Sequence, residues 1–115
     1  MEWHAVCREH HNVLLEGPHA ATEACLAEVE PLLGVQSVRR RYGHLEFPAG
    51  ARTLILRDVS TLARHEQSQL LDWWTTGSDR PRVVSTSSEP LFARVERGLF
   101  AEALYYKLNV ILVRV

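Results

Sequence analysis

Short blocks of consecutive apolar residues alternate with longer amphipathic segments along this chain. Asn12–Glu16, Thr53–Leu56, Val83–Thr86 and Val110–Val113 are apolar or β-branched runs of about four residues. Runs of that length without internal polarity predict strands covered on both faces. Between them lie helical stretches. From Ala20 the strong helix formers Glu23, Ala24, Leu26, Ala27 and Glu28 set a first helix. Leu26, Val29 and Leu33 share one of its faces, and Gly34 is its stop signal. Ser60 or Thr61 is expected to cap a second helix with Leu62, Leu70, Trp73 and Trp74 on its apolar side and Gly77 at its end. Ser87-Ser88 is expected to cap a third, with Glu89 and Pro90 in the first turn and Leu91, Phe92 and Val95 inward. Phe100, Leu104 and Leu108 recur every four residues, which predicts a fourth helix feeding the last strand.

Turn chemistry separates these elements at Gly17-Pro18, Pro48-Ala49-Gly50 and Asp79-Arg80-Pro81. Met1–His11 reads as a short helix or arm anchored by Trp3 and Val6. Val35–Phe47 is the least legible stretch, with one or two short strands around Arg39-Arg40-Arg41. Strands alternating with helices imply a mostly parallel sheet between helical layers. The expected fold is therefore an α/β, three-layer α/β/α sandwich, with residues 1–115 as one domain.

Composition narrows function more than fold. With 13 Lys and Arg against 14 Asp and Glu the net charge is −1, which lacks the basic excess of a general nucleic-acid binder. No apolar run is long enough to span a membrane, and the first residues lack a signal-peptide core, so a cytoplasmic location is expected. Cys7 and Cys25 share no metal or redox spacing and are expected as reduced, partly buried thiols. His4, His10 and His11 lack the paired spacing of a metal site, and no metal is expected. Arg39-Arg40-Arg41, without aromatic interleaving, reads as a solvated strand end or loop. Of the adjacent Trp73 and Trp74, about 100° apart on a helix, one is expected in the core and the other at a surface.

The segment from Gly98 to Val110 carries a specific resemblance. Gly98, Phe100, Glu102, Leu104, Tyr105, Tyr106, Leu108, Asn109 and Val110 match, in order and without gaps, a Gly-Arg-Phe-Arg-Glu-Asp-Leu-Tyr-Tyr-Arg-Leu-Asn-Val signature. That signature closes the core domain of bacterial sigma-54 activators of the NtrC type, a branch of the AAA+ ATPases. The resemblance extends over nearly the whole chain. It implies a P-loop NTPase fold, AAA+-like, as a sigma-54-interaction-like core that ends at Val115 and lacks the family's helical lid.

The same resemblance marks Gly17, Glu23, Arg57, Asp58, Ser88 and Lys107 as degenerate nucleotide-site positions. Where the family has Gly-Glu-Ser-Gly-Thr-Gly-Lys-Glu, this chain has Gly17-Pro18-His19-Ala20-Ala21-Thr22-Glu23-Ala24, so only Gly17 is kept and Glu23 replaces the phosphate-binding Lys. A carboxylate about 4 Å from a phosphate costs roughly 1–4 kcal/mol where Lys gains as much. Where the family has Gly-Thr-Leu-Phe-Leu-Asp-Glu-Ile, the chain has Arg52-Thr53-Leu54-Ile55-Leu56-Arg57-Asp58-Val59. Arg57 thus stands for the Mg²⁺-binding Asp, and Asp58 for the water-polarising Glu. Ser88 falls at the polar sensor, Ala101 at an arginine finger and Lys107 at the second arginine. The exchanged signs of Glu23 and Arg57 predict a salt bridge that fills the vacated site. The family's sigma-contacting Gly-Ala-Phe-Thr-Gly-Ala loop has no counterpart between Ala24 and Arg52.

The resemblance therefore implies a catalytically degenerate, regulatory or protein-interaction module of bacterial transcription or signalling. It implies no catalytic residue and no cofactor, and a protein partner or self-association rather than membrane, direct nucleic acid or direct sigma-factor contact. The alternative is a residual ATP- or ADP-binding regulator or slow ATPase that uses Asp58, Lys107 and the helix start near Thr22.

Overall fold

The computed structural model describes residues 11–33, 35–41, 43–76 and 81–115. The expectations for Met1–His10, Gly34, Gly77 and Asp79-Arg80 lie outside these residues, as do the side chains of Val29 and Leu33. Among the described residues seven strands and four helices follow one another as β1 (Val13–Glu16), α1 (His19–Leu33), β2 (Gln36–Ser37), β3 (Arg39–Arg41), β4 (His44–Glu46), β5 (Thr53–Leu56), α2 (Arg64–Thr76), β6 (Arg82–Ser87), α3 (Leu91–Glu96), α4 (Glu102–Leu108) and β7 (Ile111–Arg114). The main sheet has the order β2-β5-β6-β1-β7, and every neighbouring pair is parallel. β3 and β4 form a separate antiparallel hairpin, which resolves the stretch that sequence left open.

Apolar residues on both faces of the central strands create two cores. Leu14, Leu54, Leu56 and Val83 pack with Leu70, Trp74, Leu91, Phe100, Leu104 and Leu108 beneath α2, α3 and α4. Val13, Leu15, Ile55 and Val84 pack with Leu26 of α1 on the opposite face. β1 and β5 are buried throughout, as their continuous apolar runs require. The three-layer α/β/α expectation is met.

Local details depart from the sequence expectations. Ser60 and Thr61 lie in a 3₁₀ turn at Val59–Thr61, and α2 starts only at Arg64. The α2 start is closed by its own Glu66, whose Oε1 accepts the Ala63 N–H at 2.9 Å, the backward half of a capping box. Ser87-Ser88 does not cap α3 either. Ser87 is the buried end of β6, and the Leu91 N–H is taken by Glu16 Oε2 at 2.8 Å from the end of β1. A buried carboxylate from a distant strand outcompetes the adjacent serines because it brings charge to the orphan amide. β7 begins one residue later than expected and is only half-buried, since it forms a sheet edge with β1 on one side. Trp74 is the core tryptophan. Trp73 is half-buried and stacks flat on Phe47, with centroids 4.3 Å apart.

Arg40 departs furthest from a solvated loop residue. Its Nε and Nη2 donate to both Glu66 oxygens at 3.0 and 2.8 Å, and its Nη1 donates to Thr61 Oγ1 at 2.7 Å. Arg41 stays at the surface, 3.5 Å from Glu46.

Candidate functional site

Parallel α/β sheets place their ligand crevice at the C-terminal ends of the strands. At that end β1 leaves Glu16 and turns through Gly17-Pro18 into α1. The Gly17 N–H donates to the Ser87 carbonyl at 3.0 Å, and the Pro18 carbonyl accepts the Ala21 and Thr22 N–H groups at 2.9 and 3.0 Å. Those amides are therefore turned to protein acceptors. A Cβ on Gly17 would lie 2.4 Å from the Val115 carbonyl oxygen, so close packing against the strand next door requires a glycine there.

Arg57 leaves the end of β5 and reaches under α1. Its Nε donates to Glu23 Oε1 at 2.7 Å, its Nη2 to Glu30 Oε1 at 3.1 Å and its Nη1 to Ser37 Oγ at 2.8 Å. The expected Glu23–Arg57 bridge is present, and it is part of a larger cluster. Glu23 and Glu30 are seven residues apart, two helical turns, so both carboxylates hang from one face of α1 above the strand ends. The Glu23 hydrogen bond, outweighing burial and helped by Glu30, raises the Arg57 pKa above its ordinary value. Side-chain exposures of 34% for Arg57, 34% for Glu23 and 39% for Glu30 keep the pairs in contact with solvent. Their stabilisation is accordingly modest. Arg57→Ala is expected to cost about 1–2 kcal/mol, more than Glu23→Ala, because it leaves two carboxylates facing each other. A double-mutant cycle by urea unfolding is expected to give a Glu23–Arg57 coupling of about 1 kcal/mol. A coupling within error of zero would make the cluster two independently solvated groups.

Asp58 follows in a left-handed conformation (φ 55°), uncommon for a residue other than glycine. Its N–H is held by Thr86 Oγ1 at 3.0 Å, and its carbonyl accepts the Thr61 hydroxyl at 2.7 Å. Among the described residues nothing pairs with the Asp58 carboxylate. Ser88 is exposed just past β6. Gly17, Glu23, Arg57, Asp58 and Ser88 thus gather at the ends of β1, β5 and β6. Lys107 does not join them. Its carbonyl accepts Asn12 Nδ2 at 2.8 Å, which places the end of α4 beside the start of β1, about 13 Å of strand away from Gly17. Asn12 also accepts the Val83 N–H at 2.9 Å, so one amide ties α4 and β6 to β1. Sequence reasoning missed Glu30, Ser37 and Asn12. The seven-residue spacing of Glu23 and Glu30 was a readable sign, while Ser37 and Asn12 carried none.

A five-stranded parallel sheet with this order, helices on both faces and a strand–turn–helix at its crevice defines an AAA+-like α/β core. Residues 29–115 match the family described as the Sigma-54 interaction domain. The chain belongs to that family. A similar protein is the Nif-specific regulatory protein of Azotobacter vinelandii, 30% identical over 90 residues that make up 69% of this chain and 17% of that one. Among solved structures, NtrX from Brucella abortus in complex with ATP superposes with a TM-score of 0.73 at 19% identity, over 98% of this chain and 33% of NtrX. NtrX in complex with ADP gives 0.70 at 16% identity, over 93% of this chain and 32% of NtrX. These likenesses fix the fold, and the chain spans about a third or less of the relatives' length. Among the described residues no helix is long and apolar enough to cross a membrane.

Proposed function

We propose that this chain is a sigma-54 interaction-type module that has exchanged nucleotide chemistry for a fixed internal ion cluster. It acts as a regulatory or protein-interaction element of transcription control. The observation that carries this reading is the Arg57 guanidinium held by Glu23, Glu30 and Ser37. The Arg57 guanidinium stands where the family signature has its Mg²⁺-binding Asp, so this position offers no ligand to a metal ion, and Glu23, at the place of the phosphate-binding Lys, is held on it. Aligned with the family signature, the chain also has Ala101 where an arginine finger would stand. Its partners on this reading are a protein or a second copy of the chain. Direct sigma-factor contact is not among them on this reading, which is supported by the lack of a Gly-Ala-Phe-Thr-Gly-Ala sequence between Ala24 and Arg52, and a net charge of −1 speaks against direct nucleic-acid contact.

The second reading is a residual nucleotide binder or slow ATPase. It is favoured by the ATP and ADP complexes of NtrX on the same fold and by the Asp58 carboxylate, which lacks a protein partner among the described residues. Turnover separates the first reading from a slow ATPase, and nucleotide binding separates it from a residual binder. The chain alone, with ATP and Mg²⁺, is expected to release phosphate at the buffer rate. Mg²⁺-dependent release that Asp58→Asn abolishes would establish the second reading.

A further inference from the structure

The β3–β4 hairpin is fixed more firmly than two short strands account for, since an isolated hairpin is marginal in water. Arg40 is clamped by Glu66, and Phe47 lies flat on Trp73. The Gln69 amide both accepts from the Leu45 N–H at 2.8 Å and donates to its carbonyl at 2.7 Å, which closes the outer edge of β4. Because side chains alternate along a strand, Arg40 and Leu45 face α2, while Arg39, Arg41, His44 and Glu46 face away. Between that outward side and β2 lies an open cleft of about 560 Å³, lined by Gln36, Ser37, Arg39, Glu46, Phe47 and Pro48. This volume is within the range of small-molecule sites.

The lining has a definite chemistry. Glu46 is directly across from Arg39 in the hairpin, yet its ion pair is with Arg41, at 3.5 Å. Among the described residues no carboxylate lies within ion-pair distance of Arg39, whose guanidinium is the cation of the cleft, while Glu46, the one carboxylate of the lining, is drawn toward Arg41. Ser37 Oγ already accepts from Arg57, so its own proton is left to donate. Gln36 is a further polar residue of the lining. Phe47 and Pro48 supply apolar ring surface, and the Trp73 stack holds the Phe47 ring in one orientation.

We propose that this cleft binds a small organic anion with a flat apolar body, its carboxylate or phosphate on Arg39 and Ser37 and its ring against Phe47 and Pro48. Through the Ser37 hydroxyl such a ligand touches the group that holds Arg57, so occupancy of the cleft is felt at the strand-end cluster. The inference does not depend on whether nucleotide binds at that cluster.

The test is an NMR titration of the full chain with 2-naphthoate and 1-naphthyl phosphate as probes, and neutral 2-naphthamide as control. Saturable shifts at Gln36, Ser37 and Phe47 are expected for at least one anion, with a Kd of about 1 mM or tighter, the weak end of specific binding. Carboxylate and phosphate arms show which head group the site takes. Arg39→Met is expected to weaken that binding at least about fivefold at unchanged Tm, because guanidinium–anion bonds are the strong polar contacts of such a site. Ser37→Ala is expected to remove the accompanying shift at Arg57 Nε. Absence of saturation, equal affinity for the neutral amide, or full affinity in Arg39→Met would each overturn the proposal.

Discussion

Replacing Gln67 with leucine is expected to lower the unfolding free energy by about 3 kcal/mol, among the largest effects of any polar position in this fold. Gln67 is buried in α2, and its amide bonds three backbone groups. Nε2 donates to the carbonyls of Leu62 and Leu99, both at 3.0 Å, and Oε1 accepts the Ala101 N–H at 2.8 Å. These bonds join α2 to the loop between α3 and α4. Leucine has nearly the same size and none of the polar atoms, so the buried Leu62 carbonyl and the half-buried Ala101 amide lose their partner. Leu99 is exposed, and water can replace its bond. For a domain of this size the loss corresponds to a fall in Tm of roughly 10–15 °C, readable by calorimetry. Gln67→Glu keeps the acceptor for Ala101 but turns a buried carboxylate toward the Leu62 and Leu99 carbonyls, so it is expected to cost no less at neutral pH. A Gln67→Leu variant within about 1 kcal/mol of the parent would show that this join is dispensable.

Glu66→Ala is expected to cost about 2 kcal/mol and to remove a specific acid sensitivity. Its carboxylate closes the start of α2 and takes both prongs of Arg40, which fastens the hairpin to the helix. The figure lies below that for a fully buried pair because the Arg40 side chain is 36% exposed and can rehydrate. The Arg40 hydrogen bond, with help from the Ala63 N–H and against burial, holds the Glu66 pKa below the ordinary glutamate value. The folded state then favours the ionised form. Its contribution is complete above the unfolded pKa of about 4.3 and is lost as pH falls through the lower folded value. Parent minus variant stability should therefore be level from neutral pH to about 5 and shrink below about 4. A difference that grows on acidification would contradict the assignment.

The pattern of apolar runs was sufficient for the layers and the parallel sheet, because each central strand is buried on both faces and each helix shows one apolar side. It was insufficient wherever a distant group settled a local question. The start of α3 reads as a serine cap, yet Glu16, 75 residues away, takes the Leu91 amide. Arg40 reads as solvated in a run of three arginines, and only the placement of Glu66 makes it an anchor. Val110–Val113 reads as doubly covered, but sheet edges depend on strand order, which hydropathy does not encode. The site was legible in part. Exchanged charges at two aligned positions were enough to anticipate the Glu23–Arg57 pair. Lys107 was grouped with them by motif alone, and the fold puts it at the other end of the strands.

The most direct test of the account is isothermal calorimetry and thermal shift of the pure chain with ATP and ADP, with and without Mg²⁺. A site of about 100 µM would add roughly 1.4 kcal/mol of stability at 1 mM ligand, well within detection. On the proposed reading no binding heat and no rise in Tm are expected. A saturable heat with a matching Tm rise, lost in Asp58→Asn, would contradict the central claim and return this chain to the nucleotide-dependent members of its family.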